Sequence, residues 1–194
     1  MRRLVWFVLI VSAGLALAAM IVVRGAGISA RRDGWPMEER VATAAWRFLI
    51  PRQIRAAANP VPNTADVLQR ALAHWADHCA ICHGVDGSGN STIGPRTYPR
   101  APDMRLPATQ DLTDGELFYA IEQGIPWTAM PAWSTGTPDG ERDSWELVRF
   151  IRHLPALTPA ELTEIEKFLP RSPAELKRDQ EIDDFLRGPA KKGG

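Results

Sequence analysis

Cysteine is nearly absent from the chain: two in 194 residues, Cys79 and Cys82. Two thiols cannot build a disulfide scaffold for this length, and a bridge between them would close too small a loop to stabilise much. Stability must come from a hydrophobic core or from a bound group. Net charge is absent as well, at a formal value of zero. No global field therefore points to nucleic acid or to an acidic substrate. Lysine is missing until Lys167. No stretch shows strand alternation, no glycine loop of the nucleotide-binding kind occurs, and no second cysteine pair accompanies the first. What charge there is lies unevenly. Residues 24–58 hold seven arginines against three acids, residues 59–154 seven arginines against twelve acids, and residues 155–194 seven bases against eight acids. The cysteine-bearing middle is thus acidic and free of lysine.

The first charge-poor segment is long. Met1-Arg2-Arg3 precedes twenty uncharged residues, Leu4 to Val23. At about 1.5 Å per helical residue such a run spans the roughly 30 Å of a bilayer's hydrocarbon layer. Two readings stand. One is a transmembrane anchor over residues 1–24. The other is a cleaved signal peptide with Ala16-Leu17-Ala18 as its small-residue site. The apolar run continues through Ile21-Val22-Val23, which favours the anchor. Arg2 and Arg3 hold the N-terminus in the cytoplasm by the positive-inside tendency, while Arg24, Arg31 and Arg32 pull the other way. Either reading delivers the remainder across the membrane.

Residues 25–62 read as a juxtamembrane region. Gly25 to Gly34 is a linker. Pro36 opens an amphipathic helix with Met37, Val41, Ala44, Ala45 and Phe48 on one stripe, closed by Pro51. Its arginines suit packing on a domain or lying on a membrane surface. Asn59-Pro60-Val61-Pro62 is an extended spacer. Residues 63–155 hold three helices. Thr64 caps one running to about His78, with Val67, Leu68, Ala71, Leu72 and Trp75 as its apolar stripe. Thr113 to Glu116 is a capping box for a second, closed by Gly124. Asp143 caps a third, carrying Trp145, Val148, Phe150, Ile151 and Leu154. Residues 84–112, rich in Gly, Pro, Asp and Arg, form a loop long enough to wrap something. Residues 156–194 are a helical extension, with capping boxes at Thr158 and Ser172 and a frayed end from Pro189 to Gly194.

Both cysteines fall in His78-Cys79-Ala80-Ile81-Cys82-His83-Gly84. C-x-x-C-H is the attachment signature of a c-type haem. Two thiols add across the two vinyl groups on one porphyrin edge, which requires a short spacing, and the following histidine meets the iron. Zinc held by Cys79, Cys82, His83 and His78 would compress four ligands into six residues, where zinc sites recruit a second, distant pair. A thioredoxin-like redox pair requires a βαβ context that is not seen here.

The pattern resembles the small bacterial cytochrome c domain, over about residues 63–154, and in its approach through Ile28 to Arg31 and Asn59 to Pro62 it resembles a membrane-anchored mono-haem subgroup. The resemblance implies an all-α, cytochrome c-like haem domain, here with an N-terminal transmembrane helix and extra flanking helices. It implies one covalent haem c, with Cys79 and Cys82 as thioether donors and His83 as one axial ligand. Gly94-Pro95 follows His83 by twelve positions and matches the family's proline, whose carbonyl restrains the ligand histidine. Ile125 to Trp133 resembles the methionine loop, so Met130 is the implied second axial ligand. Met104 lies too near His83 for that loop length and is expected at the haem edge or in a core gap. His74, His78 and His153 leave a bis-histidine alternative open. Ala71 and Trp75 match the family's contacts between its first and last helices. An apolar shell is expected from Trp75, Leu112, Phe118, Ile121, Trp127, Trp133, Trp145 and Phe150.

The implied function is electron transfer by a membrane-tethered carrier, with its haem domain on the periplasmic side of a bacterial inner membrane. It is not itself an enzyme. Its partners would be redox proteins docking near a haem edge, drawn to the acidic domain through a basic face; nucleic acid is not among them. Two alternatives are a haem c subunit of a larger respiratory oxidoreductase and a haem-based gas sensor.

Overall fold

The computed structural model describes residues 1–27, 29–31 and 34–187. The expected fraying of 189–194, and part of the linker resemblance at Ile28, lie outside them. All regular structure is helical, and no strand occurs among the described residues. Helix α1 (Arg2–Ala26) contains the 24-residue stretch Arg2–Gly25, long and apolar enough to cross a membrane and buried nowhere in the protein. Helix α2 (Pro36–Leu49) begins at Pro36, and the short α3 (Arg52–Arg55) follows Pro51.

The expected first helix of the domain is more complex than its stripe suggests. Thr64 accepts the Val67 N–H and starts α4 (Ala65–His74). The helix then widens into a π turn, Trp75–Cys79, in which the Ala80 N–H reaches the Trp75 carbonyl, and resumes as α5 (Ala80–His83). Gly84 ends it at φ 78°, a left-handed value that glycine adopts without Cβ strain. The long loop that follows contains a 3₁₀ turn, Gly94–Arg96, and α6 (Pro107–Gln110). Helix α7 (Asp114–Gln123) carries the capping box at Thr113. Helix α8 (Pro138–His153) differs from expectation. Thr137 caps it through the Gly140 N–H, so it starts before Asp143, which lies inside. Pro138 at the first helical position and Thr137 before it outcompete the later acid. Helix α9 (Pro159–Phe168) has the expected box at Thr158, and α10 (Pro173–Arg187) opens on Ser172.

The core lies where α4, α7 and α8 meet. Val67, Ala71, Leu72 and Trp75 of the first stripe pack with Leu117, Phe118, Ile121, Trp145, Val148, Phe150 and Ile151. Helix α4 lies mainly against α8, the contact that the Ala71 and Trp75 match implied. Trp75 and Phe150 rings sit 5.5 Å apart, and Phe118 stacks on Trp145 at 4.1 Å. Two arginine–glutamate pairs clamp this core. Arg70 holds the buried Glu146 carboxylate of α8, and Arg47 of α2 holds Glu116 at 2.8 and 3.1 Å. Asn59 and Val61 tie the extended spacer to α8: Asn59 donates to the Trp145 carbonyl, and Arg149 donates to the Val61 carbonyl. Helix α9 closes one side with the fully buried Ile165 and joins α8 through His153 and Glu161, 2.8 Å apart.

Candidate haem site

The C-terminal end of the broken α4–α5 helix presents the candidate ligands. Cys79 and Cys82 are free thiols, each partly buried. Burial, helped by the neighbouring Cys82, pushes the Cys79 thiol up to about 12, so it is protonated at neutral pH. His83 is buried, and burial pushes its imidazole down to about 4, against an opposing pull from the Pro102 backbone. It is therefore neutral, the form that ligates iron. Its ring lies 6.0 Å from Trp75.

The loop after the motif is laced back onto the helix end. The Gly84 N–H closes on the Ala80 carbonyl, and the Gly89 N–H on the His83 carbonyl at 2.7 Å. Ser91 Oγ stands 2.8 Å from the Ile81 carbonyl and 2.9 Å from that of Cys82, which share its one O–H, while it accepts the Gly94 N–H at 2.9 Å. Carbonyls that a helix end leaves orphaned are satisfied in this way. Gly94 runs so close that a Cβ there would collide with the carbonyl oxygens of Cys82 and Gly89. Pro95, whose carbonyl the resemblance implied as the histidine's restraint, sits in the 3₁₀ turn, and the Pro102 backbone acts on the His83 ring. The loop folds back between the two prolines: the Ala101 N–H donates to the Gly94 carbonyl, and the Met104 N–H to that of Gly87 at 2.8 Å. Met104 packs partly buried against the core, one of its two expected placements.

The methionine loop hangs from the end of α7. The Ile125 N–H donates to the Met130 carbonyl, and Thr128 ties the turn together by donating to Ile125 and accepting from the Met130 N–H. The Trp133 N–H donates to the Ile121 carbonyl at 3.0 Å. A Cβ on Gly124 would meet the backbone of 130–132 at 2.7–2.8 Å, so only glycine fits there. Met130 is partly buried. Trp133 is half-buried, and its ring meets that of His78 edge-on at 5.2 Å, which joins this loop to the cysteine helix. His78 in turn meets His74 at 4.8 Å.

Of the expected apolar shell, Trp75, Phe118, Ile121, Trp145 and Phe150 are buried, and Leu112 and Trp133 pack against them. Trp127 is the exception. It is 98% exposed, at the left-handed φ of 59°. The tight turn over 125–130 turns it outward, a result of loop geometry that hydrophobicity cannot show. Ser91 and Pro102 were not singled out from the sequence, since one is an ordinary loop serine and the other one of several loop prolines.

The residues fit a haem. Two buried polar atoms near the motif, Trp75 Nε1 and His83 Nδ1, make no hydrogen bond of good geometry. Such buried groups ordinarily have partners. The Trp133–His78 contact sets the methionine loop against the helix that carries the two thiols and the His83 imidazole. Residues 66–151 match the family model described as Cytochrome C oxidase, cbb3-type, subunit III. That stretch contains Cys79, Cys82, His83 and Met130. No curated protein matches the chain. The family match supports a c-type cytochrome domain over residues 66–151, and the haem motif and the methionine loop both lie within it.

Proposed function

We propose that the chain is a membrane-tethered mono-haem cytochrome c that passes single electrons between redox proteins on the periplasmic side of a bacterial inner membrane. When bound, haem c supplies a one-electron Fe(III)/Fe(II) couple. Cys79 and Cys82 hold it as thioethers. His83, buried at the end of the helix directly after the two thiols and inside the matched stretch, would supply one axial ligand, and that arrangement is the observation that carries the reading. Met130 supplies the other, and a thioether there favours the reduced state relative to a second imidazole. With His83 and Met130 both holding the iron, the chain would leave no position for a substrate, and the chemistry supplied would be outer-sphere electron transfer. Trp75, Phe150 and the core around them exclude water from the buried side. Acidic residues of the domain favour partners with a basic docking face.

The matched family description favours one second reading, a haem c subunit of a terminal oxidase or similar complex. Purification from mild detergent separates the two by whether a large partner co-elutes. A gas sensor would require a labile axial ligand, and carbon monoxide binding to reduced protein would reveal it. The decisive experiment is intact mass with a pyridine haemochrome assay, on protein matured in cells able to attach c-type haem. One haem mass and a two-thioether spectrum are expected. A bare chain mass, or a chromophore that extracts into acid acetone, overturns the proposal. In Met130→Ala the weak sulfur-to-iron band at the red end of the oxidised spectrum is lost; its persistence would reassign the ligand.

A further inference from the structure

Helix α2 carries its apolar stripe on the wrong side for a docked helix. Met37, Val41, Phe48 and Leu49 are 75%, 63%, 82% and 73% exposed. The domain lies to the other side: Trp46 is half-buried, Ile50 just beyond the end is 2% exposed, and Arg47, a quarter-turn from the stripe, grips Glu116. On the flank Glu38 accepts the Tyr98 hydroxyl at 2.7 Å. At 100° per residue, Met37, Val41, Ala44 and Phe48 share one side of the helix, and Trp46 and Ile50 lie on the far side. The amphipathicity read from the sequence thus has no partner among the described residues, because polar and ionic contacts dock the helix instead.

The surroundings of this face point to its occupant. Only residues 27–35 separate α2 from the apolar α1, a tether that extended reaches about 30 Å. Exposed Trp35 stands at the helix start, with Arg31 before it, Arg40 beside the stripe and Arg52 just past its end. An apolar stripe with an aromatic anchor, flanked by arginines, suits the boundary between acyl chains and anionic headgroups. We infer that α2 lies flat on a phospholipid surface, its Met37–Val41–Phe48 face among the acyl chains, and that it fixes the haem domain's orientation on the membrane through Arg47–Glu116. Helix α7, which contains Glu116, ends in the methionine loop, so the attitude of α2 sets which edge of the site faces away from the bilayer. The inference rests on α1 spanning the membrane, not on the haem chemistry.

The test uses the full chain in vesicles of phosphatidylethanolamine and phosphatidylglycerol. Photoreactive benzoylphenylalanine replaces Phe48, Val41 or, as control, Glu39, all exposed positions whose replacement leaves the core intact. After illumination, intact mass should rise by one phospholipid at positions 48 and 41 and not at 39. Absence of lipid adducts at 48 and 41, in chain that resists carbonate extraction, overturns the inference while leaving the anchor intact. Dimer-mass adducts at 48 overturn it in favour of a second copy. Release of the chain by carbonate overturns the anchor and the inference with it.

Discussion

Replacing Arg47 by alanine should undo the joint between the juxtamembrane helix and the haem domain. The guanidinium meets both oxygens of Glu116, at 2.8 and 3.1 Å; the glutamate side chain is 0% exposed and the arginine 40%. Burial pushes the Glu116 carboxyl up, but the Arg47 guanidinium and the Thr113 N–H together outweigh it and hold the group below its ordinary range. Removing one partner of a fully buried pair costs about 3–5 kcal/mol. Water reaches the arginine side here, which lowers the expected loss to about 2 kcal/mol. Glu116→Gln keeps an acceptor for the Thr113 N–H and should cost about 1 kcal/mol. The double variant should cost less than the sum, because removing the arginine alone strands a carboxylate that the glutamine has already neutralised. The pH dependence gives an independent check. A carboxyl depressed in the folded state contributes stability that is full above its ordinary value of about 4.5 and is lost as pH falls through the lower folded value. Arg47→Ala should flatten that acid limb. Urea unfolding of the full chain in mild detergent, followed by far-ultraviolet circular dichroism at pH 7 and pH 4, measures both effects. A loss under ~0.5 kcal/mol at pH 7 with an unchanged acid limb would refute the reasoning.

Other perturbations test separate parts of the fold. A Cβ at Gly115 would collide with the Ile54 carbonyl where α3 crosses α7; Gly115→Ala should cost about 1–3 kcal/mol by the same unfolding measurement. Ile165 is 0% exposed, and Ile165→Ala should cost about 2–5 kcal/mol and expose α9 to early proteolysis, read by limited digestion. Gly94→Ala pushes the loop off the Cys82 carbonyl and should lower the haem attached per chain, read by haemochrome absorbance over protein mass.

Much of the site could be read locally. The spacing of Cys79, Cys82 and His83 is covalent geometry, and the boxes at Thr113 and Thr158 form within four residues, so neither depends on the rest of the fold. What escaped the sequence was set by tertiary contact. The Thr137 start of α8 and the outward Trp127 both follow from how loops meet the helices. The α2 stripe was legible as a stripe, but its direction was not, because an ion pair with a residue 69 positions away chooses which face docks.

The widened turn at Trp75–Cys79 also fixes a phase relation. A π turn acts like one residue inserted into an α-helix, so it decides the angle between the Val67–Ala71–Trp75 side and the thiols beyond it. Were the same residues to wind as an unbroken α-helix, Cys82 and His83 would stand about 100° further around its axis. The polypeptide would keep its core and present its ligands to the wrong compass point.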